Sequence, residues 1–201
     1  MSSLPVLPFI VITGPPGVGK TTLVCKLMKQ LQEKQVSVAG FYTTEKRDTH
    51  GNRIGFNIVT TEGMTAPLAA IKSDGDGTRL PMIGRYAVDV VGFERVALPL
   101  MEKLKLLQAS SAGVAKASVF IVDEVGKMEL LSDTFCRALA SLLDQRRCAL
   151  LLTIPVAGRG RPLPVVERIR GHPHALLVTL NRSNRNDAAL HHRLLEALTP
   201  H

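Results

Sequence analysis

"FIVITGPPGVGKTTLVCKLMKQLQE", Phe9 to Glu33, is the stretch on which the reading of the fold turns. It opens as an apolar run, passes through a glycine-rich loop, and then changes period. Leu23, Val24, Leu27, Met28 and Leu31 recur on one helical face while Lys26, Lys29 and Glu33 fall on the other. A strand, a loop and a helix in that order are the setting in which Gly14, Gly19, Lys20 and Thr21, at their Gly-x-x-x-x-Gly-Lys-Thr spacing, form a phosphate-binding loop.

Each fixed residue of the pattern has a physical task. Gly14 and Gly19 allow backbone angles and close approach that a Cβ would obstruct, so successive N–H groups can point inward at phosphate oxygens. The helix beginning near Lys20 adds the partial positive charge and unpaired donors of its first turn, and the Lys20 ammonium reaches the β and γ phosphates. The Thr21 hydroxyl is a ligand for Mg²⁺, which prefers oxygen donors in octahedral geometry and keeps several waters.

Outward from this motif the same alternation continues. Apolar runs at Phe9–Thr13, Val36–Thr43, Ser118–Asp123, Cys148–Ile154 and Ala175–Leu180 read as buried parallel strands. Helical pattern covers Phe93–Leu107, a segment from an N-cap at Ser132 through Phe135, Leu139 and Leu142, and a last helix from Asn186 or Asp187 with Leu190, Leu194 and Leu198 on one stripe. The expected fold is α/β, a three-layer sandwich with a mostly parallel central sheet and helices on both faces. Residues 41–63 interrupt it as two strands around a polar turn at Asp48–Asn52, an inserted antiparallel hairpin, and Met64–Pro81 reads as a long surface connection.

The 201 residues suit one domain spanning 1–201. No stretch approaches the roughly 18 consecutive apolar residues of a membrane span, and the first residues lack the basic start of a secretory leader, so a cytoplasmic protein is expected, with a nuclear one as the variant. Cys25, Cys136 and Cys148 are odd in number and form no metal-binding spacing, which suits reduced thiols with packing roles. The six histidines include close pairs and are expected to be solvated side chains. A formal charge of +8 attracts polyanions without choosing among them, and nothing in the pattern indicates a nucleic-acid reader. We read the chain as a monomer acting on a nucleotide.

"ASVFIVDEVGKMEL", Ala117 to Leu130, supplies the partners of the loop. Asp123, at the end of a buried strand, is placed to hold Mg²⁺ through its water shell. Glu124 follows at the strand's terminal turn, from which a second carboxylate can swing toward the γ phosphate and orient or deprotonate an attacking water. The bland alternatives are a turn cap for Asp123 and a lysine partner for Glu124. Lys127 is either a cation that offsets transition-state charge in cis or an ion-pair partner of Glu129 or Glu124. Arg159 and Arg161, in the loop after Ile154, stand between lid and solvated surface. Asn184 and Arg185 stand between base or ribose contact and helix capping, the latter shared with Asn186, and Glu45, Arg47 and Arg85 are weaker rim candidates.

The motifs "GPPGVGKTTL", "GFYT", "RIGFNIVT", "GRYAVDV", "FERVALP", "FIVDEVGKMEL", "TIPV" and "NRN" occur in an order that resembles the P-loop nucleoside-triphosphatase family of the cancer-related enzyme and its thermophile homologues. The resemblance spans nearly the whole chain. It implies Mg²⁺-dependent hydrolysis of nucleoside triphosphates with broad base tolerance. It also implies nucleotide binding through Gly14, Pro15, Pro16, Gly17, Val18, Gly19, Lys20 and Thr21, and through Val119, Phe120, Ile121, Val122, Asp123, Glu124, Val125 and Gly126. The chain departs from the family in an extension of eight residues at its start and in "AGRGRP", where a lysine-richer loop is expected. Transfer of the γ phosphate to a nucleoside, nucleotide or RNA end is the alternative reaction, and a nucleotide-gated nucleic-acid module is a third reading.

Overall fold

The computed structural model describes residues 7–72, 79–109, 118–144, 148–158 and 161–199. Its strands are β1 (Phe9–Gly14), β2 (Ser37–Arg47), β3 (Arg53–Thr60), β4 (Thr65–Ile71), β5 (Met82–Ile83), β6 (Tyr86–Val88), β7 (Ser118–Asp123), β8 (Ala149–Pro155) and β9 (Leu176–Thr179). The helices are α1 (Lys20–Glu33), α2 (Val90–Ala109), α3 (Asp133–Asp144), α4 (Pro164–Arg170) and α5 (Ala188–Leu198), and a 3₁₀ turn covers Glu129–Leu131. The strands join in one sheet of order β5-β6-β4-β3-β2-β7-β8-β1-β9. From β2 to β9 all neighbours are parallel. From β2 outward to β5 they are antiparallel.

The apolar runs of β1, β7 and β8 are continuous because both of their faces are covered, whereas the run at β9, expected to be buried, lies at the sheet edge with Leu176 and Leu177 exposed. On β1, Phe9 and Val11 enter one core and Ile10 and Ile12 the other, as alternation across a strand requires. β7 divides in the same way, Phe120 and Val122 against Val119 and Ile121. The first core is closed by α2, α3 and α4, and its centre is a ring cluster in which Phe93 meets Phe41 at 5.7 Å and Phe135 at 5.0 Å, both edge to face. Burying each of these rings contributes about 2–3 kcal/mol. Leucines of α1 and α5 close the second core.

Caps set the helix starts. Ser132 Oγ accepts from Phe135 N at 2.9 Å ahead of α3, and Asp187 Oδ1 accepts from Ala189 N at 2.8 Å ahead of α5. The hairpin turn is closed by Asp48, whose carboxylate accepts from His50 N and Asn52 N at 2.9 and 2.8 Å and, chiefly through the Asn52 side chain, is held below the ordinary carboxylate range. Strand β2 pairs with β7 only from Ser37 to Tyr42, and Thr43–Arg47 runs on past the end of β7 paired with β3 alone.

The expectation of a long connection over Met64–Pro81 is corrected. Within Met64–Pro81, Thr65–Ile71 is not a loop but β4, hydrogen-bonded to β3 and to β6. Pro67 disguises it, and the sheet tolerates that proline because the register with β3 shifts between Phe56 and Asn57, where a strand can accept a residue without a donor. The remainder of that stretch includes residues 73–78, outside the described residues. The basic segment around Arg168 and Arg170 is α4, which starts on Pro164 and buries Val166 and Ile169.

Candidate functional site

The loop between β1 and α1 opens onto a cavity of about 620 Å³ at the carboxyl ends of the parallel strands. Gly14, Pro16, Gly17, Gly19, Lys20, Thr21 and Thr22 line one side of it. A Cβ on Gly14 would sit 2.5 Å from the Leu180 carbonyl oxygen, and Gly19 has φ +108°, so both glycines are required by the backbone. Pro15 points to solvent and Val18 is buried in the second core.

The start of α1 differs from the starts of α3 and α5. No side chain caps it and no acid lies in its first turn, so its donors and partial positive charge are left for an anion. The Lys20 side chain is only 8% exposed, and its ammonium donates to Gly14 O at 3.1 Å and lies 3.6 Å from Glu124 Oε2. That geometry stations the cation beside the loop it serves.

Across from the loop, Val119, Phe120, Ile121 and Val122 are buried in β7, and Val125 is buried in the first core, so their side chains hold the strand rather than the cavity. Asp123 is fully buried beneath the site. Its Oδ1 accepts from Thr153 Oγ1, while its buried Oδ2 has no hydrogen-bond partner among the described residues. Burial raises its pKa to about 6 against the lowering effects of the Thr153 and Thr21 hydroxyls and of Lys20; the Glu124 charge adds to the rise. Glu124 and Gly126 line the cavity, as does the exposed Lys127, which is held by no ion pair among the described residues.

The far wall comes from the inserted hairpin and its neighbours: Thr43, Thr44, Glu45, Arg53, Phe56, Leu68 and Ile83. Of the weaker rim candidates only Glu45 reaches this wall. Arg47 pairs with Glu45 on the hairpin, and Arg85 donates to the Arg53 carbonyl at 2.9 Å. Arg161 is exposed and outside the cavity wall, and Arg159 lies outside the described residues. The side chain of Asn184 is spent inside its own turn, accepting from Asn181 N at 2.8 Å and donating to Thr179 O at 2.9 Å; the cap of α5 is Asp187 rather than Asn184 or Asn186. Arg185 is an exposed residue whose carbonyl meets His191 Nε2.

Residue-level reading from sequence missed Thr153, Arg53 and Glu129. Thr153 is a lone hydroxyl within the apolar run of β8. Glu129 lines the cavity yet is 5% exposed, and its carboxyl is pushed up to about 8, first by burial and then by Glu124 and Asp123, against the lowering effect of backbone hydrogen bonds.

Among the described residues, no helix is long and apolar enough to cross a membrane, and no three of His, Cys, Asp or Glu are grouped to hold a metal by themselves. The family described as NTPase matches residues 9–195. A bovine (Bos taurus) protein named cancer-related nucleoside-triphosphatase homolog is 41% identical over 178 residues, 88% of this chain and 90% of its own length. The solution structure of a human cancer-related nucleoside triphosphatase aligns with TM-score 0.78 at 37% identity, covering 96% of this chain and 97% of that one. The crystal structure of THEP1 from the hyperthermophile Aquifex aeolicus aligns with TM-score 0.77 at 33% identity, covering 95% and 99%. The bovine and human proteins are named for triphosphate hydrolysis, and none of the three for transfer to an acceptor.

Proposed function

The chain belongs to the NTPase family, and from that membership and the cavity we propose that it hydrolyses nucleoside 5′-triphosphates to diphosphate and phosphate with Mg²⁺. The observation that carries the reading is the meeting of Lys20 and Glu124 at 3.6 Å beside an uncapped helix start. A cation for the phosphate and a carboxylate for water stand at one place.

The residues present fit a hard divalent cation. Asp123 offers a buried oxygen without a partner, the Thr21 hydroxyl lies close enough to act on it, and every donor is oxygen. Thr21 and Asp123 would hold Mg²⁺, which supplies charge compensation for the phosphate oxygens and fixes their geometry. Loop amides and the first turn of α1 bind the phosphate chain, and Lys20 balances its negative charge. Glu124 orients a water and takes its proton as the water oxygen bonds to the γ phosphorus and the bond from that phosphorus to the bridging oxygen breaks. Lys127, on the cavity wall, offsets charge on the departing oxygens. Phe56, Leu68, Ile83 and Met128 line the cavity with apolar surface that limits bulk water and strengthens these interactions.

Broad base tolerance has its own support. Asn181 Oδ1 accepts from Ser183 N, Ser183 Oγ and Asn184 N, and both ends of the Asn184 amide are engaged, so these groups of the loop after β9 are held within their own turn rather than offered to base edges. Phosphate release from ATP, GTP, CTP and UTP, each with and without Mg²⁺, tests the proposal. Similar rates across bases and loss of release on chelation are expected; release unaffected by chelation removes the metal, and no release from any triphosphate removes the reaction.

A further inference from the structure

The turn that carries Glu124 is fixed at two successive amides. Val125 N donates to Thr153 O at 2.8 Å, which ties the turn to β8. Gly126 N donates to Glu129 Oε2 at 3.0 Å, which ties it to the 3₁₀ turn. Leu130 N returns a bond to Gly126 O at 3.1 Å, so residues 126–130 close on themselves around the Glu129 carboxyl. A Cβ built on Gly126 would lie 3.1 Å from Glu129 Oε2 and 3.2 Å from Glu124 Oε1, so the two carboxyl groups converge on one point and a methyl group there would press on both.

Burying a carboxyl group is unfavourable unless its hydrogen-bonding capacity is used, and an apolar side chain would fill the same space at lower cost. The use visible here is the grip on Gly126, two residues from the group that addresses the γ phosphate. We propose that Glu129 is the positioning residue for Glu124: by accepting the Gly126 N–H it sets where the Glu124 carboxylate stands relative to the phosphate cradle. In this role it acts through Glu124 rather than on the nucleotide. The cradle itself, built from the loop after β1, does not depend on it. The inference rests on the hydrolytic role given above to Glu124.

Steady-state kinetics of Mg·ATP hydrolysis by Glu129→Gln, Glu129→Ala and Glu124→Gln test it, with fold and nucleotide-analogue affinity checked on the same samples. Gln keeps an acceptor oxygen at the same reach, so Glu129→Gln is expected within about threefold of the parent kcat. Glu129→Ala is expected to lose about 10- to 100-fold in kcat with KM unchanged, because misplacing a catalytic group by an ångström costs on that scale. Hydrogen exchange at the Gly126 amide is expected to accelerate in Glu129→Ala and stay slow in Glu129→Gln. Should Glu129→Ala fail to fold, Gly126→Ala, which leaves the acceptor in place and presses on both carboxyl groups, is expected to show the same fall in kcat at constant KM. Parent-rate turnover by folded Glu129→Ala, or by Gly126→Ala where that variant stands in, overturns the inference, as does a Glu129→Gln enzyme as slow as Glu129→Ala. If those results come with an inactive Glu124→Gln enzyme, the inference alone has failed; a Glu124→Gln enzyme at the parent rate removes the hydrolytic reading and the inference together.

Discussion

At the scale of single residues, the proposed mechanism divides charge between groups that grip and a group that acts. Lys20 is buried and tied to a carbonyl, whereas Glu124 is 33% exposed and faces the cavity. Glu124→Gln is therefore expected to bind a non-hydrolysable triphosphate within a few-fold of the parent while phosphate release falls by about 10²- to 10⁴-fold, the range of a lost general base. Lys20→Ala is expected to weaken both binding and release. Comparing titrations of the analogue with single-turnover rates separates the two losses. Glu129 also leaves a mark on stability. Its carboxyl titrates near 8 in the folded chain against an ordinary value of 4.5, so between those values the folded state holds a proton the unfolded state has released, and stability falls as pH rises through that window. Glu129→Gln removes this slope; its melting temperature relative to the parent is expected to rise between pH 5 and pH 9, and a constant difference would refute the assignment.

At the scale of elements, each helix start follows from its first side chain or from the lack of one. Asp187→Ala strips the cap from α5 and is expected to cost about 1 kcal/mol in denaturant unfolding, with turnover unchanged below the transition. A loss under about 0.3 kcal/mol would mean that packing of Leu190 and Leu194 alone sets the helix. The elements legible in the sequence were those with long, regular signals: the apolar parallel strands, the amphipathic α1, and the capped starts of α3 and α5. β4 was not legible because Pro67 and small residues break the alternation that its pairing with β3 restores. The seven residues of α4 give a helical period too few turns to register. Asp123, Glu124 and Lys20 could be read from spacing, but Glu129 could not, since an acid between Met128 and Leu130 looks the same in sequence whether it faces solvent or the interior. Arg53 and Phe56 enter the cavity wall only through the register of the hairpin, which is a tertiary fact.

At the scale of the whole molecule, a ligand that binds only the folded chain must stabilise it. At about 100 times its dissociation constant, a Mg²⁺-loaded non-hydrolysable triphosphate contributes about 2.7 kcal/mol, which for a chain of this size raises the melting temperature by about 5–10 °C. Scanning calorimetry with the four common analogues is expected to give similar shifts, and Lys20→Ala a much smaller one. A shift confined to one base would contradict the tolerance proposed from the closed Asn181–Asn184 turn.

The overrun of β2 past the end of β7 separates two properties of this molecule. Grip belongs to the loop after β1, whereas shelter belongs to five residues of strand and the hairpin they carry. Lengthening or trimming that projection would alter how much solvent reaches the scissile bond without redrawing the phosphate contacts. In the proposed mechanism, turnover speed and nucleotide affinity thus have separate handles, one the span of a ribbon and the other the geometry of a turn.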